Sequence, residues 1–292
     1  MFKGTGTALI TPFNEDLSID YKSLKLLIDD QVNNGITAII ILGTTGETPV
    51  ITEEERRKLV DESVSIANGR VKIIIGTGTN DTMKVVKYNK IAEEYNADGL
   101  LIVNPYYNKS TQAGLIEHYK YISDRTSLPI ILYNVPSRTS MNMLPETVLK
   151  IHSECKNVVA VKEASGDISQ IAKLCAMKPE SLSVLSGNDD QTLPIMSLGG
   201  DGVVSVFSNI FPKEMSELTN LILKDDFRSA LKLHNKYLKM MNLLFIETSP
   251  IPVKYLASVR GLCKNILRLP LVNATQQAEK LLLGENRKFE EL

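Results

Sequence analysis

The stretch Asn157-Val158-Val159-Ala160-Val161-Lys162-Glu163-Ala164-Ser165-Gly166 reads as a buried strand opening into a loop. A short β-branched run without alternation is followed at once by small and turn-forming residues. Such a run suits a strand covered on both faces. The lysine at its end is the chemically unusual residue. An apolar surround disfavours the ammonium form and can bring a lysine pKa down to about 7–8, which leaves neutral amine for attack on a carbonyl. The same sequence also fits a lysine that carries its charge out to solvent on an apolar stem.

Outward from this stretch, comparable apolar runs occupy 7–10, 38–42, 71–75, 99–103, 130–133, 158–161, 182–185 and 202–206. Segments of helical period lie between them. One starts at the N-cap candidate Asp20, runs through Leu24, Leu27, Ile28 and Val32, and stops at Asn33-Asn34-Gly35. Another opens with the capping-box pattern Thr52-Glu53-Glu54-Glu55, continues through Leu59, Val60 and Val64, and ends at Asn68-Gly69. Further helices are predicted over 82–95, 112–125, 144–155, 168–177, 189–198 and 212–224. Strands separated by helices must be parallel, and eight right-handed units close into an α/β architecture, the (β/α)8 TIM barrel. A doubly wound open sheet is the alternative.

The barrel is expected over residues 1–224. A C-terminal helical extension is expected over 225–292, with a long helix across 225–247 marked by Phe227, Leu231, Leu233, His234, Tyr237, Leu238 and Met241. More helices are predicted after Pro250-Ile251-Pro252 and Asn273-Ala274. No Gly, Ser or charge-rich linker separates the two parts, so the extension is expected to pack on the barrel.

With 292 residues, 43% hydrophobic and 23% charged, the chain has the composition of a globular protein with ample core. Its 33 basic and 34 acidic side chains leave a net charge of −1, which steers it toward neither nucleic acid nor anionic membrane. The start Met1-Phe2-Lys3-Gly4-Thr5-Gly6 lacks an apolar signal-peptide core, and the longest apolar runs are too short to span a bilayer. A cytoplasmic location is expected. Cys155, Cys175 and Cys263 form no CxxC pair and suggest neither a disulfide framework nor a zinc site. His152 and Cys155 are read as helix packing, and no metal is expected.

Barrel enzymes carry their chemistry on the loops that follow the strands. Those loops hold Gly43-Thr44-Thr45-Gly46-Glu47, Asn104-Pro105-Tyr106-Tyr107-Asn108, Tyr133-Asn134-Val135-Pro136-Ser137-Arg138, Lys162, and Ser186-Gly187-Asn188-Asp189. Hydroxyls and amides at Thr44 and Thr45 can hold a small carboxylate. Tyr133 can exchange protons with a carbinolamine, and Arg138 offers a planar fork for a second carboxylate. Each has a plainer reading. Gly43-Thr44-Thr45-Gly46 lacks the GK[ST] ending of a phosphate loop, Gly76-Thr77-Gly78-Thr79 fails GxGxxG, Tyr106-Tyr107 fits a packed pair, and Arg138 fits a surface charge. Their convergence on one barrel mouth favours chemistry. Glu47, Glu163 and Asp189 are expected in supporting roles.

On Gly43-Thr44-Thr45-Gly46-Glu47, Tyr133-Asn134-Val135-Pro136-Ser137-Arg138-Thr139 and Val161-Lys162-Glu163-Ala164, the chain closely resembles the pyruvate-dependent class I aldolase family. The resemblance runs over essentially the whole length, Pro250-Ile251-Pro252-Val253-Lys254 included. It points to the members that condense pyruvate with L-aspartate 4-semialdehyde on the way to diaminopimelate and lysine, without metal or organic cofactor. It implies that Lys162 forms an imine with pyruvate and that Tyr133, Thr45 and Tyr107 relay protons, Tyr107 reaching in from the neighbouring subunit of a tight dimer. It further implies that Thr44 and Thr45 hold pyruvate, that Arg138 binds the semialdehyde carboxylate, and that Gly187 and Val204 line the pyruvate pocket. A homo-oligomer is expected, at least a dimer and by family habit a homotetramer. Ser140 stands where the family commonly has glycine.

The resemblance also implies an inter-subunit cleft in which sensitive members bind lysine. Asn80 and Tyr106 match it, whereas Lys84 replaces an acid and Glu53 and Arg56 replace histidines, with Pro49 in the adjoining loop. Weak or absent inhibition by lysine is expected. Two other functions share parts of the pattern. A lyase for N-acetylneuraminate or a 2-keto-3-deoxy sugar acid would keep Lys162, Tyr133 and the glycine-threonine loop, but its aldehyde has no carboxylate for Arg138. A barrel kept for binding without turnover is opposed by the intact set Thr45, Tyr107, Tyr133 and Lys162.

Overall fold

Strands buried on both faces fit a covered open sheet or a barrel, and only strands that pair all the way round leave no unpaired edge. In the computed structural model, which describes residues 3–290, they do so. Met1, Phe2, Glu291 and Leu292, assigned above to the ends of the barrel and the extension, lie outside the described residues. The strands are β1 (Gly4–Ala8), β2 (Ala38–Ile41), β3 (Lys72–Gly76), β4 (Gly99–Val103), β5 (Ile130–Asn134), β6 (Val158–Glu163), β7 (Ser183–Ser186) and β8 (Gly202–Ser205). They form a closed parallel barrel in chain order, sealed by β1 against β8 through Gly4↔Gly202 and Gly6↔Val204. The barrel, and not the open sheet, is the architecture.

The helices around it are α1 (Tyr21–Asn33), α2 (Glu53–Ala67), α3 (Thr82–Glu94), α4 (Gln112–Ser123), α5 (Pro136–Thr139), α6 (Pro145–Glu154), α7 (Ile168–Met177), α8 (Thr192–Ser197) and α9 (Pro212–Leu223). Then come α10 (Phe227–Leu243), α11 (Ile251–Val259) and α12 (Gln276–Glu290). The expected caps form. Asp20 accepts from the Lys22 and Ser23 amides, and Thr52 and Glu55 make a reciprocal capping box on α2. Among the described residues no helix is long and apolar enough to cross a membrane.

Three boundaries differ from those read in the sequence, each for a physical reason. The first strand begins at Gly4, not at residue 7, because Thr5 and Thr7 take the outward positions that aliphatic residues fill elsewhere. Their hydroxyls are satisfied by the Met215 carbonyl at 3.1 Å and by Gln31 Oε1 at 2.5 Å. The helix expected over 189–198 is a 3₁₀ turn, Asp189–Gln191, followed by the short α8. Asp189 is turned inward there to accept the amides of Val206 and Phe207 at 3.0 and 2.9 Å. The long helix expected over 225–247 ends at Leu243, which frees the segment after it to enter the barrel mouth.

Alternation along the strands divides the core in two. Ala8, Ala38, Ile40, Ile74, Leu101, Ile131, Ala160, Leu185 and Val204 fill the barrel, while a larger cluster joins the strands to the helices. The extension packs on this frame through aromatic rings. Phe207 stacks on Phe211 at 4.8 Å between centroids, and Tyr237 of α10 stacks on Phe289 of α12 at 4.5 Å.

Candidate active site

Period two on β6 turns Ala160, Lys162 and Ala164 toward the barrel axis, and the same alternation on β5 turns Ile131, Tyr133 and Val135 inward. Parallel register sets Tyr133 beside Lys162. Lys162 is 5% exposed and Tyr133 is 7% exposed. The lysine ammonium stands 4.3 Å from the centre of the Tyr133 ring. Lys162 is therefore the desolvated amine and not a strand-end charge reaching for water. Gly187 makes room for it: a Cβ there would meet Ala164 Cβ at 2.6 Å and Lys162 Cε at 3.1 Å. Only glycine lets β7 approach the amine so closely.

A cavity of about 540 Å³ opens above this pair. Its floor is apolar, with Ala8, Ile40 and Leu101, and its wall carries Thr44, Thr45, Arg138 and Gly187. The Thr44–Thr45 segment is a tight turn, as its plainer reading held, yet a turn whose two threonines line the same cavity as Lys162. Gly46 donates its amide to the Gly43 carbonyl and Glu47 to the Thr44 carbonyl, both at 3.1 Å. Thr11 holds the turn from below through a hydroxyl bond of 2.8 Å to the Gly46 carbonyl.

Arg138 is carried on α5, one turn started by Pro136 at a position where a missing amide costs nothing. Its guanidinium donates to the Ser249 carbonyl at 3.4 Å and otherwise faces the cavity. Ser140 closes that turn in the left-handed region at φ 53°, donating its amide to the Pro136 carbonyl at 2.8 Å. The conformation suited to the family's glycine is thus kept by a serine.

One of the expected residues sits elsewhere. Val204 is completely buried within the barrel interior and does not line the cavity; Val206, just beyond β8, supplies the apolar wall. Val206 lies past the end of β8, where the chain leaves the strand, and it also packs into the outer cluster. Tyr107 does not line the cavity of its own chain. It projects outward, 93% exposed, from a backbone in the left-handed region at φ 69°.

The acidic residues prove structural in their contacts. Glu163 faces outward from β6, accepts Asn134 Nδ2 and the Ser165 amide, and burial pushes its pKa up. Burial likewise raises Asp189, whose bonds to the Val206 and Phe207 amides oppose the shift. Glu47 pairs with Lys254 at 2.5 Å, both side chains essentially inaccessible. His152 uses both ring nitrogens in packing, on the Val158 carbonyl at 2.7 Å and on Ser181 at 2.9 Å. Among the described residues, no group of three or more His, Cys, Asp or Glu is placed to hold a metal ion.

Sequence reasoning missed two features. Phe245, Ile246, Glu247, Thr248 and Ser249 line the cavity from the extension. Lys254 and Arg268 reach the Gly43–Glu47 loop from the same region. The one available signal was a lysine in the otherwise apolar helix Ile251-Pro252-Val253-Lys254-Tyr255-Leu256. At the proposed lysine cleft, Lys84 is exposed, Glu53 is already bound to Lys87 at 2.5 Å, and Arg56 is buried on the Gly76 carbonyl and Thr48.

Comparison with known proteins places these residues in context. The profile of the Dihydrodipicolinate synthetase family matches residues 1–283. The chain is 48% identical over 291 residues to a 4-hydroxy-tetrahydrodipicolinate synthase of Thermotoga neapolitana, covering 99% of each. The crystal structure of dihydrodipicolinate synthase from Thermotoga maritima superposes with a TM-score of 0.98 at 45% identity, over 100% of both chains. A chloride-inhibited dihydrodipicolinate synthase from Acinetobacter baumannii, complexed with pyruvate, superposes with a TM-score of 0.97 at 37% identity, again over 100% of both.

Proposed function

The chain belongs to the dihydrodipicolinate synthetase family, and from that premise we propose how its cavity works as a 4-hydroxy-tetrahydrodipicolinate synthase, condensing pyruvate with L-aspartate 4-semialdehyde through an imine on Lys162. The observation that carries the reading is the buried Lys162 amine over Tyr133 at the base of a cavity walled by Thr44, Thr45 and Arg138.

Neutral Lys162 attacks the pyruvate ketone, and the carbinolamine loses water as Tyr133 passes it a proton. Thr44 and Thr45 hold the pyruvate carboxylate by hydroxyl and amide, leaving the methyl group free. Loss of a methyl proton turns the imine into an enamine, whose carbon attacks the aldehyde of the second substrate. Arg138 holds that substrate's carboxylate in a charge-assisted fork. The semialdehyde's own amine then closes the ring and displaces Lys162.

Thr45 links Tyr133 to Tyr107 of a second copy, and the outward reach of Tyr107 supports this shared relay. A homodimer is therefore the smallest competent assembly, and pairing of dimers gives a tetramer. Among the described residues, 3–224 form the catalytic barrel, and 225–290 form an extension that completes the cavity wall. Three unpaired cysteines suit the reducing cytoplasm. The chemistry draws on no organic cofactor, because the lysine itself is the electron sink.

A coupled assay with pyruvate and L-aspartate 4-semialdehyde, run beside N-acetylneuraminate cleavage, tests the reading. Turnover is expected in the first and none in the second. The reverse result assigns the cavity to a sugar-acid lyase.

A further inference from the structure

Two basic residues beyond the barrel reach back to the turn that carries Thr44 and Thr45, and the reaction above uses neither. Lys254 on α11 is 0% exposed, and its amine donates to Glu47 Oε1 at 2.5 Å. The other carboxylate oxygen accepts the Arg268 amide at 3.0 Å. The Arg268 guanidinium is anchored in turn on the Val50 carbonyl at 2.8 Å and on Glu55 of α2. Below the pair, the Phe13 ring lies 4.0 Å from the Lys254 amine.

Stability alone does not account for such a pair. Two desolvated charges recover at best what neutral side chains of the same shape would give, so a buried ion pair is weak evidence for stabilisation. What the pair does supply is position. Glu47 sits in the left-handed region at φ 55° and donates its amide to the Thr44 carbonyl. The backbone of Thr44 and Thr45 therefore goes where Glu47 is held.

We propose that Lys254 is a positioning residue of the condensation: from the extension it fixes Glu47, and through Glu47 it holds Thr45 in line with Tyr133 and Lys162. This rests on the function proposed above, in which Thr45 relays protons. Lys254 touches no substrate. Its neighbours are Glu47 and Phe13, outside the cavity wall, so it is a second buried lysine that pyruvate does not reach.

The test compares Lys254→Met, Glu47→Gln and the double variant in the full chain. Thermal midpoint, kcat, KM for pyruvate and borohydride trapping at saturating pyruvate are read for each. The single variants are expected to lose stability, because each strands a buried partner. The double variant is expected to regain the midpoint and still trap pyruvate on Lys162, with kcat about tenfold or more below the parent, as misplacement of a relay group costs.

The same double change is then added to Thr45→Val. Once the relay is gone, it should alter kcat by less than about twofold, since groups that act through one another are non-additive. Recovery of both midpoint and kcat in the double variant overturns the proposal, as do losses that multiply in the Thr45→Val background. If the methionine variants do not fold, Glu47→Gln alone carries the same cycle against Thr45→Val. A parent chain that makes no product from pyruvate and semialdehyde points to the function instead, which keeps the two failures apart.

Discussion

The chemistry proposed for Lys162 rests on its neighbours more than on the residue itself: the Tyr133 ring beside it, Gly187 against it and the Thr44–Thr45 turn lining the same cavity. Arg138 stands apart from that cluster, exposed at the rim, and the proposed mechanism gives the pyruvate carboxylate to Thr44 and Thr45 instead. Arg138→Ala should therefore lower kcat/KM for the semialdehyde by tenfold or more, the equivalent of about 1.5–3 kcal/mol for one charged hydrogen-bond partner. Pyruvate trapping should survive nearly unchanged. Steady-state kinetics beside borohydride trapping check this, and loss of trapping with semialdehyde use intact would reverse the roles. Lys162, Tyr133, Thr44, Thr45 and Arg138 were legible as candidates because each stands near the C-terminal end of a strand, or in the loop after it, where the apolar run is unmistakable. Val206 was not, because it lies past the end of β8, where strand alternation no longer tells which residue meets the cavity.

At the scale of elements, legibility follows the apolar period. Strands β2 to β8 show themselves as β-branched or leucine-rich runs, whereas β1 hides its start because threonines replace aliphatic residues and bond to α1 and α9. The end of α10 and the turn of Phe245–Ser249 into the cavity follow from contacts with the barrel, which leave no local signature. Contacts such as Lys254 to Glu47, 207 residues apart, are equally silent in one dimension. Helix α2 illustrates how an element is locked at its start. Glu55 caps it and also binds Arg268, and that bond above all lowers its pKa to about 2 from an ordinary 4.5. A depressed carboxylate stabilises the fold above its unfolded value and loses that contribution as pH falls through its folded one. The stability gap between the parent and Glu55→Gln should be full near neutrality, about 1 kcal/mol because solvent reaches the pair. It should shrink below about pH 4.5 toward pH 2. Thermal midpoints at pH 7 and pH 3 check the sign, and a gap that widens in acid would contradict it.

At the scale of the whole molecule, the extension lines one side of the site through Phe245–Ser249, and Tyr107 stands exposed outside the cavity. If a second copy completes it, mixing inactive Tyr107→Phe with inactive Lys162→Ala should restore part of the activity after subunit exchange, because one site of each hybrid is intact. Exchange without recovery would count against a shared relay. The cleft between such copies bears on regulation. Lys84 presents a cation where an acid would be needed, and Glu53 is already engaged by Lys87 and Arg57. Like charges repel by about 1 kcal/mol in a wet cleft and by more in a dry one. Millimolar lysine should inhibit turnover weakly or not at all in the coupled assay, and strong inhibition below that range would mean the cleft recruits another acid. The most direct measurement is made on the intact chain: incubate with pyruvate, reduce with borohydride, and map the adduct by peptide mass spectrometry. One adduct is expected, on Lys162 and not on Lys254, and it should vanish in Lys162→Arg because a guanidinium stays protonated. An adduct on any other lysine, or none at all, would contradict the imine mechanism.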